Sequence, residues 1–367
     1  MVRRWKGLVS VSLTCCALAA AVGCVEDKGE EGTPDEPIEL SGTIDADRSF
    51  SGEVRITSSI DIAARLTFEP CTRVTIASGA LIAVVENGAI NAVGEEDCPV
   101  IFESANANPA AGDWQRIDIY NRADNANVFE HAIIRHGDGE NYGMIWVEEG
   151  AQISMKNVSL EKSAYSAIQI NGDARIDAFD AVSFKDIGGA LVEVAAERVA
   201  ALAPLTLSGT NPRPYVRVPF SEVMSDVRWS NLGVPYVSEG LEAQAGLTLE
   251  AGVTMKLAPE AYVRLRDGGQ LVTEGTAEAP VVIESSKSSP AAGDWATIEI
   301  YSSAGNGSSL THTTVRHGGG DGYGAFWVED GAALALDNVT FEQNEGCDID
   351  ELGSIDANNT EFVPCGG

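Results

Sequence analysis

One stretch of this chain occurs twice. PAAGDWQRIDIYNRADNANVFEHAIIRHGDGENYGMIWVEEGA spans residues 109–151, and PAAGDWATIEIYSSAGNGSSLTHTTVRHGGGDGYGAFWVEDGA spans 290–332. The offset is 181 throughout, from Pro109/Pro290 to Ala151/Ala332, with no gap. Two gapless copies must fold alike, so the architecture has to be modular. At 367 residues the chain has room for two ordinary domains or one long repeat domain.

The residues around the copies say which. From Ile38 onward short apolar alternations are broken by Gly, Asn and Asp, as in VTIASGALIAVV at 74–85, ARIDAFDAVSF at 174–184 and ALALDNVTF at 333–341. Alternation with period two predicts strands. No segment carries a capped helical stripe, and alanine-rich GALVEVAAERVAAL at 189–202 reads as strand. Glycine is 38 of 367, above the usual ~7%, and recurs at turns: Gly79, Gly88, Gly94, then Gly252, Gly269, Gly275. Close-spaced strands with Gly and Asn turns predict an all-β solenoid, each circuit ~4.8 Å above the last. Asn157 and Asn338 sit where a side-chain ladder or a left-handed turn is expected. Four prolines interrupt residues 205–235. The expected plan is one continuous coil of two modules, 38–221 and 222–367, the second ending in a cap. Two tandem β-sandwiches would also explain the offset, but the ungapped glycine rhythm favours the coil.

Residues 247–285, LTLEAGVTMKLAPEAYVRLRDGGQLVTEGTAEAPVVIES, then GDW at 293–295, resemble bacterial right-handed parallel β-helix proteins of the pectin-lyase-like fold. The first copy matches at 66–104, and Pro235-Tyr236-Val237 resembles the start of a strand in such modules. The resemblance runs from about residue 40 to the end. It implies the fold and little about activity, because this fold hosts enzymes, adhesins and inert scaffolds. Of the acids, His-Gly and Arg-Ile-Lys that the polygalacturonase type carries, only His-Gly occurs, at 136–137 and 317–318; there is no Asp-Asp. Arg213 and Arg217 resemble the arginines of a pectate-lyase site but lie in the proline-rich junction. Asp45/Asp47 and Asp348/Asp350 are acid pairs with calcium-binding spacing, of a kind that so acidic a chain holds by chance.

Residues 1–23 read as a secretory signal: Arg3, Arg4 and Lys6, then an apolar run from Leu8 to Ala21, too short to span a membrane. Ala21-Val22-Gly23-Cys24 resembles a bacterial lipobox, which implies a lipidated Cys24 and a membrane anchor. Val25 after the cysteine implies, by the sorting rule of such lipoproteins, the outer membrane. Residues 24–37 form an acidic Gly- and Pro-containing tether. The net charge is −31, and about −34 without the leader's three cations. That disfavours nucleic acid and anionic headgroups.

Four cysteines remain after Cys24. Cys71 and Cys98 correspond to Gly252 and Ala279, so both vanish together in the second copy, as a bonded pair would. The expected pairs are Cys71–Cys98 and Cys347–Cys365, both structural, the latter closing the last rung. No C-x-x-C or neighbouring histidine suggests a metal, and no cofactor signature is present; calcium alone stays open. All four histidines lie in the copies. His131 and His136 are five apart on one apparent strand, so on opposite faces, while His131 and Arg135 share a face, as do His312 and Arg316. His131, Arg135 and Trp146, with His312, Arg316 and Trp327, are the candidate ligand-binding residues. The second set is expected some eight rungs along the same strand line. Surface pairing of His131 and Arg135, a turn at His136, and loop packing of Trp146, Trp327, Trp114 and Trp295 is the simpler expectation. The function expected is a membrane-anchored, non-catalytic scaffold, polysaccharide being the candidate ligand. A lyase or glycosidase with divergent acids, and a calcium-dependent adhesin, stand as alternatives, and the oligomeric state is open.

Overall fold

A computed structural model describes residues 36–366 apart from Asn125. Within them the chain winds as a right-handed parallel β-helix: every pairing between its strands is parallel. Each circuit lays strands on three faces. The first face carries Arg65–Phe68 and Ala89–Val93, the second Arg73–Ile76 and Val100–Ser104, the third Ile82–Val84 and Ile117–Ile119. Alternation puts every second side chain inside, where like residues stack rung on rung. Phe50 and Phe68 stack in this way on the first face, Ala92 holds that position on the next rung, and Phe102 from the second face fills the space between Phe68 and Phe129, with neighbouring ring centroids 5.4, 5.2 and 6.2 Å apart. All four phenylalanines are buried, each contributing roughly 1.5–3 kcal/mol of apolar burial.

Corners between faces use left-handed residues that are not glycine. His131 and His312 have φ +46° and +43°, Asn157 and Asn338 +52° and +55°, His136 and His317 +72° and +70°. The strands Val128–Arg135 and Gln152–Glu161 bend at these points and serve two faces each. Two corners demand glycine on space alone: a Cβ at Gly88 or Gly269 would meet the carbonyl oxygen of Ile62 or Ala243 at about 2 Å.

Residues 189–202, read as strand, divide into Val192–Val194 and a 3₁₀ helix, Ala196–Ala201, on the first face. Alanine supplies no β-branched surface there, and the backbone tightens.

At the junction the faces change partners. On the third face Ile145–Val147 is followed by Ile168–Ile170, Val192–Val194 and Val216–Val218. Val216–Val218 then pairs with Tyr236–Ser238, and that strand with Thr254–Leu257. Yet Thr254–Leu257 is the second copy's counterpart of Arg73–Ile76, a second-face strand. The third face of the first copy therefore continues as the second face of the second copy. The second copy's third face is a separate six-stranded sheet that opens at Ser221–Val223. This strand stacks on the 3₁₀ helix: Ala196 N–H donates to Ser221 Oγ at 3.2 Å, and Glu197 accepts the N–H groups of Met224 and Ser225 at 2.7 and 2.8 Å. From Ile145–Val147 to its counterpart Phe326–Val328 there are three rungs, one face, then four rungs. The offset between the copies is thus seven and one-third circuits. The expectation that the copies share a strand line is corrected: the second is turned by one face.

Cys71 and Cys98 are bonded at a Cα separation of 4.6 Å, and Cys347 and Cys365 at 5.1 Å beside the last rung.

Candidate functional site

Much of the repeated stretch builds the coil. Trp114 and Trp295 are fully buried. Each indole N–H donates to a backbone carbonyl, of Arg135 and Arg316, at 2.9 Å. The ring lies on the glycine of His-Gly: a Cβ at Gly137 would come within 2.8 Å of Trp114, and one at Gly318 within 2.5 Å of Trp295. The preceding aspartates close the loop. Asp113 accepts Ser104 Oγ at 2.6 Å and Ala110 N–H at 2.9 Å. Asp294 repeats both with Ser285 and Ala291 and adds Lys287 Nζ at 2.7 Å. Burial would raise its carboxyl, but these donors outweigh burial and hold it at about 2. The Gly-Asp-Trp and His-Gly elements form one loop lock.

His131, Arg135 and Trp146 do not converge. His131 stands at the corner between first and second faces, where Asn157 Nδ2 lies 3.3 Å from its Nε2, beside a shallow groove of about 560 Å³. The backbone turn at His131 resets the alternation, so counting residues to Arg135 or His136 across it fails. Arg135, on the second face, gives Nε and Nη2 to Glu103 at 2.8 and 2.6 Å. Arg316 does the same with Glu284 at 2.9 and 2.5 Å. Both arginines belong to charge ladders, not to a free cationic patch. His136 is buried, and burial lowers its pKa. One acid of each pair is engaged: Asp47 accepts Arg65 N–H at 2.8 Å, and Asp348 accepts Asn344 Nδ2 at 2.9 Å and Val363 N–H at 2.8 Å. Among the described residues no three His, Cys, Asp or Glu gather as a metal site. Cys24 lies outside the described residues.

Trp146 and Trp327 face outward. Ile145 and Val147 are buried on either side of half-buried Trp146, and Phe326 and Val328 flank half-buried Trp327 likewise. The expectation that they pack beneath a loop is corrected, since the strand pleat turns them out. Each meets a tyrosine edge-on: Tyr120 at 5.8 Å and Tyr301 at 5.3 Å between centroids. Beside Trp146 on the adjoining rungs are Asp118 and Gln169. Arg116 Nε donates to Asp118 at 2.6 Å, Nη1 donates to Glu140 at 2.8 Å, and the guanidinium covers the exposed ring of Tyr142 at 4.8 Å. Burial raises the Asp118 carboxyl even against Arg116. In the second copy Glu299 replaces Asp118 and accepts Tyr301 Oη at 2.7 Å. Position 116 becomes Thr297, yet an arginine is present: Arg264, one rung below, donates Nε to Glu299 at 2.8 Å and covers Tyr262 at 3.8 Å. Both copies thus hold the same outward set: tryptophan, edge-on tyrosine, carboxylate, and arginine over a further tyrosine.

Sequence reading singled out the tryptophans and missed their companions. The signal for Asp118 and Tyr120 was present in Ile-Asp-Ile-Tyr and Ile-Glu-Ile-Tyr, two-residue spacing shared by both copies. Arg264 carried none, because it replaces Arg116 from another rung.

Such geometry defines a class by its fold: a parallel β-helix with an outward aromatic pair in each copy. Residues 235–334 match the family model of the pectate-lyase like beta helix domain. That stretch includes the second platform, and the gapless offset carries the same architecture to the first. No curated protein and no solved structure matches the chain.

Proposed function

We propose that the protein is a membrane-tethered, non-catalytic scaffold that holds neutral polysaccharide on Trp146 and Trp327. The observation that carries this reading is the arginine at the second platform. The counterpart of Arg116 is Thr297, and Arg264 supplies the guanidinium from a neighbouring rung. Arg264 also pairs with Glu242 one rung further down at 3.5 Å, so it serves the charge ladder of that face as well as the platform; what supports the reading is that both copies end with the same outward set. A flat aromatic face bordered by hydrogen-bonding acids and amides suits a sugar ring, with its apolar face and equatorial hydroxyls. The net charge of −31 repels polyanions, which leaves neutral polymers. Tethering rests on Cys24 and the acidic residues after it, and the outer membrane is the proposed location.

Asp118 supports a second reading. Its carboxyl is raised by burial and Arg116 links it to Glu140, as an acid pair of a glycosidase would be arranged. Two N–H bonds from Arg116 hold Asp118, at 2.6 and 3.3 Å, and this favours a structural acid.

The test is affinity electrophoresis in mixed-linkage β-glucan, xylan, galactomannan and polygalacturonate. Retardation is expected in a neutral polymer and not in polygalacturonate. Trp146→Ala and Trp327→Ala should each lose about tenfold in affinity at the altered site, ~1.4 kcal/mol. Unchanged binding by the double variant would reject the platforms, and release of reducing ends that Asp118→Asn abolishes would favour the enzyme.

A further inference from the structure

We infer that the two platforms hold two separate polymer chains, so that one molecule cross-links polysaccharide. This rests on the platform reading and adds its geometry. Trp146 lies on a strand line that runs through the junction as the second copy's second face. Its outward positions beyond Gln169 include Glu193, Arg217, Lys256, Glu284, Arg316 and Glu342. Those are paired ions: Arg217 with Glu193 at 2.7 Å, Lys256 with Glu284 at 3.0 Å. A polymer laid along the axis from Trp146 therefore runs onto a charge ladder and meets no second aromatic platform. Trp327 belongs to the other sheet, where Glu299 and Asp350 are its neighbours. The tryptophans are separated by seven rungs, ~35 Å at ~4.8 Å per rung, and by one face of the coil. To occupy both, a single extended chain would have to wind round the coil while climbing that distance. A second chain reaches the second platform without bending.

Had the offset been a whole number of circuits, both tryptophans would have extended one surface, and the gain would have been avidity for one chain. The one-third circuit converts the same two sites into a bridge.

The experiment uses purified full-length protein with mixed-linkage β-glucan, and xylan and galactomannan as parallel probes, followed by light scattering across protein-to-polymer ratios. Wild type should enlarge the scattering particles at intermediate ratios and shrink them again in excess protein. Trp146→Ala and Trp327→Ala should each bind polymer and build no particles, alone or mixed together. Titration with hexasaccharides of the same polymers should give two per wild-type molecule and one per single variant, and cooperative melting within about 2–4 °C of wild type should show that the variants fold. Binding that needs the tryptophans without particle growth in wild type, or growth retained by a single variant, would overturn cross-linking alone. No binding to any of the three, or binding that survives loss of both tryptophans, would remove the platforms and cross-linking with them.

Discussion

Trp114 and Trp146 belong to one copy of the repeat and face opposite ways. Trp114 is buried, hydrogen-bonded and seated on Gly137. Trp146 is half-buried and meets Tyr120 edge-on. Truncation should separate them: Trp114→Ala is expected to cost ~3–5 kcal/mol, as loss of a buried indole does, and Trp146→Ala about 1 kcal/mol, the scale of one exposed aromatic pair. Urea denaturation of the two variants measures both. A large loss at Trp146 would return it to the packing role. The sequence made both tryptophans visible through duplication. It did not separate their roles, because apolar neighbours on both sides suit a packed residue as well as an outward one on a pleat. His131 shows the same limit: a left-handed corner inside an apparently continuous strand erases the parity that assigns faces.

At the scale of the strand and its loop, charges are arranged rung by rung. Glu103 sits between Arg73 and Arg135, and Glu284 between Lys256 and Arg316. Burial would raise both glutamates, but their cationic neighbours lower them overall. Asp294 is the clearest case, held at about 2 by Lys287, Ser285 and Ala291 against the rise from burial. A carboxyl lowered on folding stabilises the folded state above its unfolded value, and that stability is lost as pH falls through the folded value. Asp294's share should therefore be complete above about pH 4, the ordinary Asp range, and fade toward about 2. Asp294→Asn should flatten the fall of melting temperature across that window and leave its slope near neutrality unchanged. An identical acid limb in the variant would show that the loop lock does not depend on the charge. The strands themselves were legible, since alternation survives in segments as short as Val263–Leu265, where Arg264 turns out between two buried residues. The 3₁₀ helix Ala196–Ala201 was not, because valines among alanines satisfy both patterns.

For the whole molecule, the coil was readable from the glycine rhythm, whereas its phase was not. Sequence numbers fix the offset between copies, but the number of circuits depends on how much chain each corner absorbs. On the third face the circuit from Ile60 to Ile82 is short, whereas the next, from Ile82 to Ile117, also takes in the loop that carries Gly-Asp-Trp. Anchoring belongs to this scale too. Cys24→Ser should abolish incorporation of labelled fatty acid and move the protein from the membrane fraction to the soluble one. Retention of both label and membrane association would dismiss Cys24 as the anchor.

The fractional offset has a further consequence for growth of such a chain by duplication. Each additional copy of the repeat unit, inserted with the same junction, would advance the pattern by the same third of a revolution. Three units would distribute their tryptophans around the axis with screw symmetry, and the fourth would be the first to regain the heading of the original. Lengthening this protein would therefore multiply the directions in which it reaches before extending any one of them.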